Sequence, residues 1–236
     1  MLSPLLTVLV QVECVARWNT NMQISILCSD QGHPVVENLR GWVEDMSLKG
    51  HVVSFVFDKA DLPGGDVLFL VSCSQIIRDS DREKYIATLV LHASDLPKGR
   101  GWSPHIWSIL NGESQIVLSL IYAAEHVDSG SIWLKTTILL DGHELLDEIN
   151  EKLFDAELYL MTKAVENFSD IQPRVQIGDP GEYMKRRTPA DSRIDPHKSI
   201  AEQFNLLRIV DSERYPAFFE YQGNKYLLKI ERVKYE

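Results

Sequence analysis

His92 closes the apolar run ATLVLH, and Asp128 follows it by 36 positions in HVDSGSI. An imidazole ordinarily titrates near neutrality, so it can both take and give a proton, and a carboxylate beside it fixes its ring and tautomer. Between them comes HASDLPKGRGWSPHIWSILNGE, whose Pro/Gly turn carries Ser94, Lys98, Arg100 and Trp102. Lys98 and Arg100 suit charge-assisted contacts to an anionic ligand as well as plain solvation. Taken alone, a histidine at a strand end is an ordinary hydrogen-bonded residue, and Asp-x-Gly is a turn former. Placement raises both, because ligands of open parallel sheets bind outside the carboxyl ends of the strands.

The elements that must place these residues are readable from hydrophobic spacing. Residues 23–28 are a short β-rich run, and apolar side chains at 35, 36, 39, 42, 43 and 46 predict a helix over 35–48. HVVSFVF (51–57), DVLFLV (66–71) and ATLVL (87–91) are compact runs of the kind buried on both faces of a parallel sheet. A short helix is expected over 104–111, then strands over 116–124 and 131–139 flanking EHVDSG. Asp141 with Glu144 predicts a capping box, ahead of a long helix whose inner face is Leu145, Ile149, Leu153, Ala156, Leu160 and Ala164. Residues 169–199 are polar and contain Pro173, Pro180, Pro189 and Pro196, the mark of a boundary or a long functional loop. Asp195 is then expected to cap a helix starting at Pro196, with Ile200, Phe204, Leu207 and Val210 on one face. Residues 216–231 predict a hairpin turning at Gly223 and Asn224.

At 236 residues, 44% of them hydrophobic and 25% charged, the chain can hold one well-buried domain and a small appendage. Its net charge of -10 argues against a broad nucleic-acid face, which needs basic residues to release counterions. Lys185, Arg186 and Arg187 form a local basic run that reads first as a solvated face. Cys14, Cys28 and Cys73 match neither a metal-ligand nor a disulfide spacing and read as reduced thiols in a cytoplasmic protein. No GxGxxG follows the first strand, and no P-loop, HExxH or GxSxG occurs. The apolar stretch 5–10 is too short to span a bilayer and lacks a preceding positive charge, so residues 1–21 are set aside as a leader, with Met22 a candidate natural start.

The succession of histidine, LPxxRG turn, helix, GE and D-x-G-x-I resembles the formyltransferases that use N10-formyltetrahydrofolate. Within that family the closest likeness is to sugar N-formyltransferases of surface-glycan and flagellin-glycan pathways of the pseudaminic-acid type. Their C-terminal part also resembles MKRRTPADSRIDPHKS and RYPAFF, so the likeness covers roughly residues 22–236. It implies an α/β fold: a Rossmann-like core with a mostly parallel sheet, plus a small C-terminal helix-hairpin subdomain. The expected division is a core over 22–170, a Pro-containing loop over 171–198, and a helix and hairpin over 199–236.

The resemblance implies a reaction in which an acceptor amine attacks the formyl carbon, with His92 as acid-base and Asp128 as its partner. The pterin and its linker would lie along Ser72, Cys73, Ser74, Gln75 and Ile76 and along Glu125, His126 and Val127, largely through backbone groups. Ser94, Lys98, Arg100 and Trp102 would face an amino-sugar acceptor, nucleotide-linked and small, with no metal and no membrane involved. A cytoplasmic location and a homodimer joined through the C-terminal hairpin are compatible with this. One departure stands out: the family carries an asparagine two residues before the histidine, and Val90 in this sequence cannot donate a hydrogen bond. The competing readings are a methionyl-tRNA formyltransferase-like enzyme and a non-catalytic folate- or partner-binding protein of the same fold.

Overall fold

The computed structural model describes residues 21–233, so the leader expectation, apart from its last residue, lies outside the described residues. A six-stranded sheet has the order β2-β1-β3-β4-β5-β6, formed by β1 (Gln23–Leu27), β2 (Val52–Val56), β3 (Gly65–Leu70), β4 (Tyr85–His92), β5 (Gln115–Tyr122) and β6 (Ile132–Leu139). The first four pair in parallel and β5 runs antiparallel to both its neighbours, giving the mostly parallel α/β sheet expected. The carboxyl ends of β1 to β4 therefore share one edge, where His92 stands.

Three helices cover one face of this sheet: α1 (Val36–Leu48), α3 (Pro104–Leu110) and α4 (Leu146–Glu166). Helix α1 buries Val36, Leu39, Trp42 and Met46 on one stripe, and the Trp42 indole N–H donates to Thr162 of α4 at 2.8 Å. The opposite face carries a much smaller cluster of Leu27, Leu62, Leu68, Leu70 and Tyr85, beside the single-turn α2 (Asp79–Arg82). Strand side chains alternate between faces. Ala87, Leu89 and Leu91 of β4 enter the large core, so Thr88, Val90 and His92 project from the less covered side.

Three local expectations are corrected. Glu144 does accept from the backbone N–H of Asp141, at 2.8 Å, but α4 starts only at Leu146, with Glu148 accepting from Leu145 N–H. The D-x-x-E spacing forms a turn before the helix because Arg208 and Lys152 draw the Glu144 carboxylate inward. The helix expected from Pro196 is delayed: the Asp195 carboxylate accepts from His197 N–H at 2.9 Å, making its own turn, and residues 201–203 form a 3-10 turn before the short α5 (Phe204–Leu207). Such side-chain turns compete with helix, and the cap is instead Ser199 with Glu202. The hairpin of β7 (Ala217–Tyr221) and β8 (Asn224–Leu228) turns one residue earlier than expected, through Gln222 and Gly223, both at positive φ (48° and 77°). A two-residue hairpin turn of this twist needs that conformation at both positions.

Glu157 lies inside the packed face of α4, 6% exposed, with Oε2 enclosed and unpartnered. Burial pushes its carboxyl up to about 8. Between the unfolded value near 4.5 and about 8 the folded chain holds the proton that the unfolded chain releases, so this group's stability contribution is complete below 4.5 and falls as pH rises to 8. Glu157→Gln is therefore expected to flatten the decline of unfolding free energy between pH 5 and 8, by roughly 2–4 kcal/mol across that window. Denaturant titrations of both proteins at several pH values check this; parallel pH curves would show that Glu157 is not buried as described.

Candidate active site

The site grows from the end of β4. After His92 the chain turns sharply, Ser94 N–H donating to His92 C=O at 2.9 Å, and the following loop brings the Gly99 carbonyl to 2.9 Å from His92 Nε2. Gly99 sits at φ +75°, and a Cβ there would lie 2.9 Å from Ser94 Cβ, so glycine is needed for this approach. Asp128, between β5 and β6, takes φ +57° and presents Oδ1 3.4 Å from His92 Nδ1. Its other oxygen accepts from Gly101 N–H at 2.9 Å. Both side chains are under 10% exposed (8% and 7%). A carbonyl only accepts, so the Gly99 contact is a hydrogen bond only in the tautomer that carries hydrogen on Nε2, while Nδ1 faces the Asp128 carboxylate.

The structure thus brings His92 and Asp128 together and arranges the other expected residues unequally around them. Arg100 donates through Nη2 to Gln176 Oε1 at 2.9 Å, while its Nε is enclosed without a partner. Ser94 Oγ is likewise enclosed and unpartnered, packed under the turn instead of facing outward. Lys98 is exposed. Trp102, 40% exposed, has the Arg186 guanidinium 4.9 Å from its ring centre, and Lys185 lies 5.8 Å from the Trp107 ring. Lys185 and Arg186 are therefore laid against the two tryptophans, with Trp107 Nε1 donating to Lys185 C=O at 3.2 Å.

In the 72–77 loop, Ser72 is at φ +47° and Ser74 N–H donates to Ser29 Oγ at 2.8 Å. Gln75 is occupied on both sides, accepting from Lys59 N–H and donating to Phe57 C=O. Burial pushes the Cys73 and Cys28 thiols up, which leaves both poor nucleophiles. Ile76 and Val127 remain exposed at 77% and 64%, one on each of the two loops expected to hold a pterin. Glu125 and His126 are exposed, and His126 C=O accepts from Ser129 Oγ.

Two residues near the pair had escaped the sequence reading. His105, in the first turn of α3, has Nδ1 enclosed and unpartnered; burial first, then Coulombic repulsion from the nearby His92 and His33 imidazoles, pushes its own imidazole down to about 4. Gln176 comes from the polar 169–199 segment, where nothing in the pattern singles it out. That segment lies on the core, joined by backbone bridges of Arg174 to Ile132 and Met184 to Gly101. Among the described residues no group of three or more His, Cys, Asp or Glu could hold a metal ion, and no helix is long and apolar enough to cross a membrane. Two hollows, of about 300 and 240 Å³, lie along α4 and include neither His92 nor Asp128.

Comparison with known proteins gives this geometry a family. Residues 49–165, which include His92 and Asp128, match the family described as formyl transferase. The bifunctional polymyxin resistance protein ArnA of Wigglesworthia glossinidia brevipalpis is 29% identical over 140 residues, 58% of this chain. The match spans only 21% of that protein's length. Methionyl-tRNA formyltransferase from Clostridium thermocellum shares the fold with a TM-score of 0.75 at 22% identity, over 90% of this chain and 94% of that one. HypX from Aquifex aeolicus, solved with tetrahydrofolic acid, does so at 0.75 and 21% identity, over 89% of this chain and 38% of that one. A 4-N formyltransferase from Francisella tularensis gives 0.68 at 17% identity, over 91% and 99%. The Rossmann-like formyltransferase fold read from the sequence is the fold found, and residues 49–165 of this chain form a formyl transferase domain.

Proposed function

We propose that the protein transfers a formyl group from N10-formyltetrahydrofolate to the amine of an amino sugar carried on a nucleotide. The observation that carries this reading is the 3.4 Å contact of His92 with Asp128 at the carboxyl edge of the sheet, inside the family's matched domain. The folate supplies the activated formyl carbon; the amine forms the new C–N bond and the bond to N10 breaks. With its Nδ1–H turned to Asp128 and a bare Nε2 released from the Gly99 carbonyl, His92 takes at Nε2 the proton that the attacking ammonium must lose and returns it to the leaving nitrogen. Asp128 keeps the ring aligned and stabilises its charged form.

The fit to a folate rests on the exposed apolar side chains of Ile76 and Val127 and on the 72–77 and 124–128 backbones, since Gln75 is already bonded within the protein. Val90 lies on the same strand face as His92 and donates nothing, which leaves backbone N–H groups and His92 to meet the developing oxyanion. Arg100, Lys98 and Trp102 mark the acceptor side. The likeness to methionyl-tRNA formyltransferase is one of fold, and a net charge of -10 suits a small acceptor better than a tRNA. A cytoplasmic homodimer joined through β7 and β8 belongs to the same reading.

Calorimetry with 5-formyltetrahydrofolate, a stable donor analogue, tests the donor site. A one-to-one complex of about 100 μM or tighter, roughly -5.5 kcal/mol, is expected. No detectable binding would leave the fold without its donor and turn the reading toward a non-catalytic partner-binding protein. Formylation of amino-sugar nucleotides, with tRNA as the competing acceptor, then decides the substrate class.

A further inference from the structure

We infer that Gln176 is a positioning residue for the His92–Asp128 pair, an inference that rests on the proposed formyl transfer. Its side-chain amide is fully used: Nε2 donates to Asp128 C=O and to Gly130 C=O, both at 2.8 Å, and Oε1 accepts from Arg100 Nη2 at 2.9 Å. The neighbours Val175 and Ile177 are 74% and 88% exposed, so apolar packing does not hold the strand of chain there. Backbone bridges fasten it on either side, Arg174 exchanging two hydrogen bonds with Ile132 (2.7 and 2.8 Å) and Met184 pairing with Arg100 C=O and Trp102 N–H (2.7 and 2.9 Å).

This segment therefore spans the two loops that make the site, and Gln176 is the side chain that reaches both. Asp128 sits at φ +57°, a left-handed turn conformation that Asp tolerates better than most residues but that still leaves its carbonyl and carboxylate to be held by partners. Two carbonyls of that turn converge on one amide, and Gly101, next to Arg100, supplies the N–H that holds the Asp128 carboxylate. A closed ring results, from Gln176 to the Asp128 backbone, from the Asp128 carboxylate to Gly101, and from Arg100 back to Gln176. Opening it at the amide lets the turn relax and carries the carboxylate away from Nδ1. The ring also connects Arg100, on the acceptor side, with the partner of the acid-base.

Gln176→Ala and Gln176→Glu separate the halves of the amide. Glutamate keeps the length and the acceptor for Arg100, but sets an oxygen against two carbonyls. Both variants are expected to lose about 10- to 100-fold in kcat, with KM for the donor and calorimetric affinity for 5-formyltetrahydrofolate within about threefold of the parent. Val175→Ala, on the exposed side of the segment, is the control and should match the parent. A Gln176→Glu protein with parental kcat would overturn the inference, as would a Gln176→Ala protein whose only defect is a lower melting temperature. If the parent forms no formylated product, the functional reading fails separately. Amide exchange at Gly101 and the ring-nitrogen NMR signals of His92 then still decide the positioning role: faster exchange with a changed Nδ1 signal in both variants upholds it, and unchanged values overturn it.

Discussion

His92→Ala is expected to lower formyl transfer by about 10²- to 10⁴-fold while leaving 5-formyltetrahydrofolate binding within a few fold of the parent. The size follows from what the side chain does in the proposed reaction. An amine enters as ammonium, and without a group to take its proton it has no lone pair with which to attack. At the end of β4, His92 is the imidazole with a carboxylate beside it, Asp128 lying 3.4 Å from Nδ1. His105 does not replace it, because burial, the largest influence on its imidazole, holds it well below the usual histidine range and remains when His92 is gone. Val90 contributes no donor, so loss of the imidazole also removes the side chain best placed to meet the oxyanion. Asp128→Asn should also be costly, up to about 10⁴-fold, since an amide in place of the carboxylate favours the wrong ring tautomer without removing the ring. Steady-state and single-turnover rates with a formylatable amino-sugar nucleotide provide the check. His92→Ala turnover within threefold of the parent would remove His92 from the chemistry, and loss of folate binding in step with rate would make it a structural residue of the donor site.

What the sequence made legible and what it hid divide along physical lines. The parallel strands were readable because burial on both faces demands unbroken Val, Leu and Phe runs, as in β3 with its buried Val67, Leu68, Phe69 and Leu70. His92 and Asp128 were readable because each closes or follows such a run, so strand placement determined where they emerge. Local turns were less legible where one side chain had two possible partners. Asp195 spends its carboxylate on His197 N–H and so starts a turn, while Ser199 and Glu202, three apart, carry the box that starts the helix. Gln176 was hidden entirely: glutamine in a polar stretch between exposed neighbours looks solvated, and its three partners come from loops 46 to 76 positions away. The roles assigned to Ser72–Ile76 and Glu125–Val127 rest on resemblance and on the exposure of Ile76 and Val127, and folate binding is their test.

Arg208→Ala is expected to destabilise the protein by about 2–3 kcal/mol, the cost of taking the buried one of two cations from the Glu144 carboxylate while Lys152 keeps its contact. Arg208 follows α5 and is 3% exposed; its Nε donates to Glu144 C=O at 2.9 Å and its Nη2 to Glu144 Oε2 at 3.0 Å. Glu144 is 2% exposed and also accepts from Lys152 at 2.6 Å and from the N–H groups of Asp141 and Gly142. Burial works to raise its carboxyl, but these donors outweigh it and bring the group down to about 2. A carboxylate lowered in this way stabilises the fold fully above the unfolded value near 4.5, and the contribution is lost as pH falls from 4.5 towards 2. Acid should therefore loosen the attachment of the C-terminal unit to the β6–α4 turn, and Glu144→Gln should already show much of that loss at pH 7. Denaturant titrations at pH 7 and pH 3 separate the cases. The gap between parent and Arg208→Ala should shrink as Glu144 takes up its proton. An unchanged gap would mean that Arg208 stabilises the chain through its bond to the Glu144 carbonyl, and a gap near zero at pH 7 would mean that the ion pair is solvated in solution.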